Sequence, residues 1–258
     1  MTERSGYAAG TPSWVDLASP DLEAAKRFYG GLFGWQADAS GDPEQTGGYT
    51  MFTLNAKLVA GLGPLQGEGL PPAWTTYVSV DDADATAAKA KAAGATVMME
   101  PFDVLDAGRM ATFVDPTGAF FSIWQPGAHQ GAELVNEPNT LCWNELTTRD
   151  IDTARDFYRG VFGWGCETNP FEGTVYTEWK LGGKSIGGMI QMTDDWPAEI
   201  PSHWMTYFAV DDTDATAKKT EELGGGVSVP PTDIPPGRFA VLDDPHGAVF
   251  SVIEMADE

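Results

Sequence analysis

The sequence predicts an α+β protein made of two tandem copies of one module, each with a mixed β-sheet and helices on one side. The first observation is an internal repeat: residues 14–35 and 143–164 align without a gap and share 10 of 22 positions. The second is that strand and helix patterns also recur inside each half. The third is composition, since 42% hydrophobic residues and nine Trp in 258 residues suffice for two cores.

Each half opens with a strand followed by a helix. Residues 14–17 alternate like a half-buried strand, and Ser19 with Pro20 predicts the helix N-cap and first turn. The second copy repeats this order with Thr148 as the predicted N-cap. Apolar residues at helical spacing predict the two buried stripes. These are Leu22, Ala25, Phe28, Tyr29, Leu32 and Phe33 in one copy, and Ile151, Ala154, Phe157, Tyr158, Val161 and Phe162 in the other.

Further strands follow, and the same order then starts again within each half. The restart is a strand that leads into a helix with an acidic first turn, followed by three more strands. Each half is therefore predicted to hold two βαβββ units, and the sequence leaves open whether adjacent or swapped units share a sheet. The strands after the first helix are predicted at 49–54, 58–62, 175–181 and 185–191, the restarts at 74–80 and 204–210, and the closing strands at 96–99, 110–114, 119–124, 226–229, 239–242 and 248–253.

The domain organisation follows from these units. We expect a first module at residues 1–126, a linker at 127–138 and a second module at 139–258. The linker contains Pro, Gly and Asn, but the apolar pair Leu134 and Val135 favours a linker that packs against a module.

Charge and termini restrict the partners. The net charge of −23 repels phosphate backbones and anionic lipids, so we expect neither nucleic acid nor a membrane as a partner. The first thirteen residues lack the apolar core of a secretory signal, which predicts a cytoplasmic protein, with non-classical export as the alternative. Cys142 and Cys166 lack metal-ligand or redox spacing and are predicted to be reduced thiols.

Three duplicated motifs carry a family resemblance. FYGGLFGW and FYRGVFGW end the first helix of each half, VDDADAT and VDDTDAT follow the central strand, and DPTGAFFS and DPHGAVFS precede the last strand. In this order they resemble the vicinal oxygen chelate superfamily of glyoxalases, extradiol dioxygenases, and fosfomycin- and bleomycin-resistance proteins. The chain is similar to its two-module actinobacterial members, which include a mycobacterial culture-filtrate antigen. The resemblance spans residues 11–126 and 139–256 and implies cupped eight-stranded sheets with helices outside and a ligand cavity inside.

The resemblance also implies where a divalent metal would be held, and here the sequence departs from the family. None of the residues at the implied ligand positions is an imidazole or a carboxylate. We therefore expect no metal cofactor, with an atypical site at Glu145 and His203 as the alternative. The implied positions fall on Trp14, Thr75 and Ser122 in the first half and on Trp143, Met205 and Ser251 in the second.

Strand alternation predicts which side chains line each cup. Aromatic walls with a few polar groups suit a small aromatic or apolar molecule, although the same aromatics would also serve simply to fill the cup. The first cup is predicted to hold Trp14, Asp16, Thr75, Tyr77, Ser122 and Trp124, and the second Trp143, Glu145, Met205, Tyr207, Ser251 and Ile253.

Asp16 and Glu145 are the predicted catalytic residues. They occupy corresponding places beside a Trp, where burial can raise the pKa of a carboxyl group enough for general base chemistry. The alternative is a structural hydrogen bond to Tyr77 or Tyr207. Arg109 and Arg238 also correspond and would either anchor an anionic group or form structural ion pairs.

Three functions are compatible with these residues. The leading hypothesis is a metal-independent protein that binds a small molecule, for sequestration or resistance, as a monomeric pseudo-dimer or a homodimer. The second is a lyase, isomerase, hydroxylase or dioxygenase that uses Asp16 and Glu145 or the atypical metal site. The third is an antigen-like interaction protein with vestigial cavities.

Overall fold

The computed structural model describes residues 3–38, 46–65, 67, 69–171 and 174–256, and these form two eight-stranded mixed sheets and four helices. The predicted α+β architecture of tandem modules is therefore confirmed. The first module contains β1 (Pro12–Ser19), α1 (Leu22–Phe33), β2 (Gln36–Asp38), β3 (Thr50–Leu54), β4 (Lys57–Pro64), β5 (Ala73–Ser79), α2 (Ala83–Ala92), β6 (Thr96–Val104), β7 (Gly108–Val114) and β8 (Phe120–Pro126).

The second module repeats this order. It contains β9 (Leu141–Thr148), α3 (Ile151–Phe162), β10 (Gly165–Phe171), β11 (Thr174–Leu181), β12 (Lys184–Gln191), β13 (His203–Ala209), α4 (Thr213–Glu222), β14 (Gly226–Ile234), β15 (Gly237–Asp243) and β16 (Val249–Met255).

Adjacent units share a sheet, which decides between the two pairings that the sequence left open. The first sheet has the order β2-β3-β4-β1-β5-β8-β7-β6, and the second has the order β10-β11-β12-β9-β13-β16-β15-β14. The antiparallel pair β1 and β5 joins the two units of the first module, and β9 and β13 do the same in the second. The first strand of every unit therefore lies at the centre of its sheet.

The helices lie between the two modules. Phe33 of α1 packs on Phe208 of the second sheet, with ring centroids 5.2 Å apart. Tyr158 of α3 packs in the same way on Phe121 of the first sheet, at 5.7 Å. Each helix thus contributes to a core that both modules share, and the opposite face of each sheet, here called the concave face, points away from the helices.

One buried tyrosine on each of the helices α1 and α3 donates a hydrogen bond to the other module. The hydroxyl of Tyr29 donates to Asp244 at 3.3 Å and accepts from the Trp74 indole at 3.1 Å. In the second module, Tyr158 donates to Asp115 at 2.8 Å. The two aspartates sit in the DPxG turns, so these turns serve the contact between modules as well as their own hairpins.

Both predicted N-caps are wrong by two residues. The carboxylate of Asp21 accepts from the amide of Ala24 at 2.9 Å, and Asp150 accepts from the amide of Thr153 at 3.0 Å. Ser19 and Thr148 instead accept from the amides of Asp21 and Asp150, so each lies before the cap. An aspartate carboxylate next to the first helical residue reaches the third amide of the turn, which leaves the upstream hydroxyl outside the helix.

The linker packs on the first module. The amide of Ala132 donates to the carbonyl of Ser13 in β1 at 2.8 Å, and that of Glu133 donates to Leu58 in β4 at 2.8 Å. The residue before Ala132 must be glycine, because the φ of Gly131 is +108°, which is left-handed, and a Cβ there would lie 2.6 Å from the Ser13 carbonyl oxygen. Within the described ranges, no helix is both long and apolar enough to cross a membrane.

Candidate functional site

Strand alternation places a tryptophan, a tyrosine and a carboxylate on each concave face. In the first sheet, Trp14 lies opposite Tyr77 and Asp16 lies opposite Thr75 across the β1 and β5 pair. Their chain neighbours Val15 and Leu17 are fully buried on the helical side. The period of two along a strand therefore separates the shared core from the concave surface.

The first carboxylate cluster consists of Trp14, Asp16, Tyr49 and Tyr77. Tyr77 and Tyr49 donate hydrogen bonds to the same oxygen of Asp16, at 2.8 Å and 3.1 Å, and the Trp14 indole donates to the Tyr49 hydroxyl at 3.1 Å. Burial raises the pKa of Asp16 to about 6, while the two hydroxyl donors act in the opposite direction. The pKa of Asp16 is therefore higher than that of an exposed aspartate.

The second carboxylate cluster consists of Trp143, Glu145, Tyr176 and Tyr207. Tyr207 donates to Glu145 at 3.0 Å, and the Trp143 indole donates to the Tyr176 hydroxyl at 2.9 Å. Burial also raises the pKa of Glu145, and hydrogen bonds from Tyr176 and Tyr207 oppose that rise. The predicted hydrogen bonds of Asp16 to Tyr77 and of Glu145 to Tyr207 are both present, and the cluster occurs in both modules.

The second tyrosine of each cluster is a functional candidate that sequence reasoning missed. Tyr49 directly precedes β3 and Tyr176 lies within β11, and a glycine on the neighbouring strand makes room for each hydroxyl. A Cβ at Gly61 would overlap the Tyr49 hydroxyl, and one at Gly188 would overlap the Tyr176 hydroxyl. Each glycine and each tyrosine recurs 127 positions later, so the repeat itself contained the signal.

The polar surroundings of the two clusters differ at one serine. Ser122 lies opposite Thr112, and their hydroxyls are 2.9 Å apart. Its counterpart Ser251 lies opposite Val241, which offers no hydroxyl, and its fully buried side chain lies within hydrogen-bonding reach of Tyr207. The second cluster therefore lacks the serine–threonine pair of the first.

Arg109 and Arg238 lie away from the clusters. Arg109 binds Asp84 of α2 through its Nε at 2.8 Å and Asp103 of β6 through Nη1 at 2.9 Å. Arg238 binds Asp214 and Asp233 in the corresponding way, at 2.6 Å and 2.8 Å. Both guanidinium groups are thus engaged in ion pairs that join a helix to a hairpin.

Two surface cavities also lie away from the clusters. One, of about 380 Å³, lies beside Arg238 and is bordered by Asp233 and Glu254. The other, of about 210 Å³, lies at the contact between modules near Gly10 and Phe162. Neither contains a residue of either carboxylate cluster.

The comparisons with known proteins bear on this architecture. The Glyoxalase/Bleomycin resistance protein/Dioxygenase superfamily matches residues 11–123 and 129–252, which is most of the chain. The protein belongs to this superfamily. The two matched segments correspond to the two sheets, so the superfamily unit occurs twice in one chain.

Relatives within the superfamily align along the whole length. CFP32 of Mycobacterium tuberculosis, which is provisionally named a glyoxylase, is 48% identical over 263 residues that span 100% of both chains. The anthracycline biosynthesis protein DnrV of Streptomyces peucetius is 42% identical over 265 residues, covering 97% of this chain and 95% of DnrV.

Solved superfamily structures share the fold at low sequence identity. The Mn(II)-bound glyoxalase from Novosphingobium aromaticivorans has a TM-score of 0.64 and 18% identity, covering 96% of this chain and 84% of its own. The 2,3-dioxygenase LapB from Pseudomonas sp. KL28 has a TM-score of 0.65 and 14% identity, with coverages of 97% and 94%. At these identities the likeness concerns the fold alone.

The side chains of this member do not fit the metal site of the superfamily. Asp16 and Glu145 each accept from two tyrosine hydroxyls, and no group of three or more His, Cys, Asp or Glu that could hold a metal occurs among the described residues. His203 of the alternative site uses its Nδ1 with the Pro201 carbonyl oxygen at 2.9 Å and lies opposite Thr147, whereas Glu145 lies opposite Met205. The described residues therefore do not bring together the donors for three-ligand or four-ligand coordination.

Proposed function

We propose that the protein binds a small aromatic or apolar molecule on a concave face and that it does so without a metal ion. The observation that carries this proposal is the carboxylate cluster, which occurs in both modules in place of metal ligands. In each cluster an indole and two phenol rings surround one carboxyl group of raised pKa. Such a surface offers apolar contact area together with a group that can orient a ligand.

Apolar side chains extend the first concave face beyond its cluster. Met99 lies opposite Thr112, and Phe102 lies opposite Met110, which in turn lies opposite Trp124. Met99 and Phe102 are 36% and 37% exposed. In a chain of net charge −23, this surface favours a neutral or cationic ligand over an anionic one.

The names of the relatives agree with a small-molecule ligand. One relative is provisionally named a glyoxylase and the other takes part in anthracycline biosynthesis. We therefore choose 1,4-dihydroxyanthraquinone, a neutral planar molecule, as the probe for binding.

Fluorescence titration with this probe tests the proposal. A double substitution of Thr75→Trp and Met205→Trp places a bulky ring on both concave faces, and we expect it to weaken binding at least tenfold. Lys218→Trp on the exposed surface of α4 is the matched control and should leave the affinity unchanged. The proposal fails if the wild-type chain shows no saturable binding, or if the double variant binds as well as the control.

Elemental analysis tests the metal-independent part separately. Protein purified without chelator should contain no stoichiometric divalent metal, and its binding of the probe should survive treatment with EDTA. A stoichiometric metal whose removal abolishes binding would contradict this part of the proposal.

The raised pKa of Asp16 supports a second candidate function, which is proton transfer. A carboxylate with a pKa of about 6 can remove a proton from carbon next to a carbonyl group at neutral pH. The assay is deuterium exchange into hydroxyacetone, followed by NMR. Exchange that is catalysed by the wild type and lost in an Asp16→Asn and Glu145→Gln double variant would support an enzyme, whereas exchange that persists in that variant would exclude these two bases.

We also propose that the protein is a monomer. The helical face of each sheet is already covered by the other module, as the contacts of Phe33 with Phe208 and of Tyr158 with Phe121 illustrate. Light scattering during gel filtration should give the mass of one chain, 27.6 kDa, and twice that mass would contradict the proposal.

A further inference from the structure

The linker inserts an aromatic side chain into the first concave face. The imidazole of His129 lies edge-on to the Trp14 ring, with centroids 4.4 Å apart and planes at 78°, and also contacts the Trp124 ring at 5.6 Å. Its backbone is fixed by two hydrogen bonds, from its amide to the Ala107 carbonyl at 3.0 Å and from the Trp124 indole to its carbonyl at 2.9 Å. His129 therefore sits directly on the first carboxylate cluster.

The imidazole of His129 is enclosed between two indoles, as a bound aromatic ring would be. Only 9% of the residue is exposed, and neither ring nitrogen has a hydrogen-bond partner within the described residues. A buried imidazole normally pairs at least one nitrogen, so its role here is to fill space between two indoles. As a result Trp14 is 3% exposed and Trp124 is 6% exposed.

The second concave face has no such occupant in the described part of the chain. Trp143, the counterpart of Trp14, is half-buried. Ile253 replaces Trp124, so the second face lacks one of the two indoles between which His129 lies. This face therefore has an indole that is more accessible than its counterpart in the first module.

We propose that the linker closes the first concave face, with His129 in the place of a ligand ring, and that the second concave face is the binding site. The ligand would be a neutral planar ring that packs on Trp143. This inference rests on the proposed small-molecule binding and assigns it to one module.

Counting bound molecules tests the assignment. In equilibrium dialysis of the full chain against 1,4-dihydroxyanthraquinone, the wild type should bind one molecule per chain and Met205→Trp none. His129→Ala keeps the backbone hydrogen bonds of the linker and should bind two. Adding Thr75→Trp to His129→Ala should return the count to one, and Lys218→Trp should match the wild type.

The alternative outcomes separate this inference from the proposed function. No binding by any of the five proteins would refute small-molecule binding of this class. One bound molecule that survives Met205→Trp, or a count that stays at one in His129→Ala, would refute the assignment alone. Circular dichroism checks that each variant is folded, and His129→Gly serves as the second opening variant if His129→Ala is not.

Discussion

The two concave faces carry the same cluster in different surroundings. Trp14 is 3% exposed beneath His129, whereas Trp143 is half-buried. The segment that covers the first concave face is the linker that joins the two modules. Duplication has preserved the carboxylate and its tyrosines, while the linker makes the two copies unequal.

The helical layer, in contrast, is used equally by both modules. Tyr29 and Tyr158 are each fully buried, each accept from a tryptophan indole, and each donate to the turn aspartate of the other module. The contacts of these tyrosines are therefore the same in both modules, whereas the concave faces differ.

The largest effect is expected at these tyrosines. Tyr29→Ala and Tyr158→Ala should each lower the free energy of unfolding by about 3–5 kcal/mol, because each removes a buried ring and the tyrosine donor to one oxygen of a buried carboxylate. Urea denaturation should show one cooperative transition for both, since each tyrosine joins the two modules. Arg27→Ala and Arg159→Ala, exposed on the same helices, should change stability by less than about 0.5 kcal/mol. Separate transitions for the two modules would contradict a shared core.

A smaller effect is expected in the pH dependence of stability. Because the pKa of Asp16 is raised to about 6, the folded state binds this proton more tightly than the unfolded state does. The resulting stabilisation of the folded state is present at low pH and is lost as pH rises through 6. Burial lowers the pKa of His129 to about 4, so its contribution has the opposite sign and stability is lost as pH falls below about 6.5.

These two contributions oppose each other in wild-type protein. From pH 5 to pH 7.5, the change in the free energy of unfolding should be more positive in Asp16→Asn than in the wild type, by about 1–2 kcal/mol. In His129→Ala the same change should be more negative than in the wild type, by a similar amount. Urea denaturation at the two pH values measures both, and parallel curves for all three proteins would show that neither group is perturbed by burial.

The smallest effect distinguishes the two serines. Ser122→Ala should cost about 0.5–1.5 kcal/mol because it removes the hydrogen bond with Thr112. Ser251→Ala should cost less, because Val241 lies opposite Ser251 and offers no hydroxyl to pair with it. Equal losses in the two variants would contradict this difference.

Most of the fold could be predicted from the sequence because its signals occur twice. The repeat indicated two modules, and alternation correctly separated Val15 and Leu17 from Trp14 and Asp16. The pairing of adjacent units could not be predicted, because swapped units would present the same alternating strands. The helix N-caps were misplaced because Ser19 and Asp21 both have side chains that accept from a backbone amide.

The candidate site was only partly predictable. Asp16 and Glu145 could be matched to Tyr77 and Tyr207 because the four lie on neighbouring central strands. Tyr49 and Tyr176 could have been found by comparing the two repeats. Their contact with the carboxylate, however, depends on β4 and β12 lying beside β1 and β9. The position of His129 could not be predicted, since it occurs once, in a linker, and its contacts are set by the path of the chain.

A crystal structure of the full chain with 1,4-dihydroxyanthraquinone tests the inequality of the two faces most directly. The account predicts the probe against Trp143 in the second module, with His129 still between Trp14 and Trp124 in the first. A probe bound against Trp14, with His129 displaced, would contradict it.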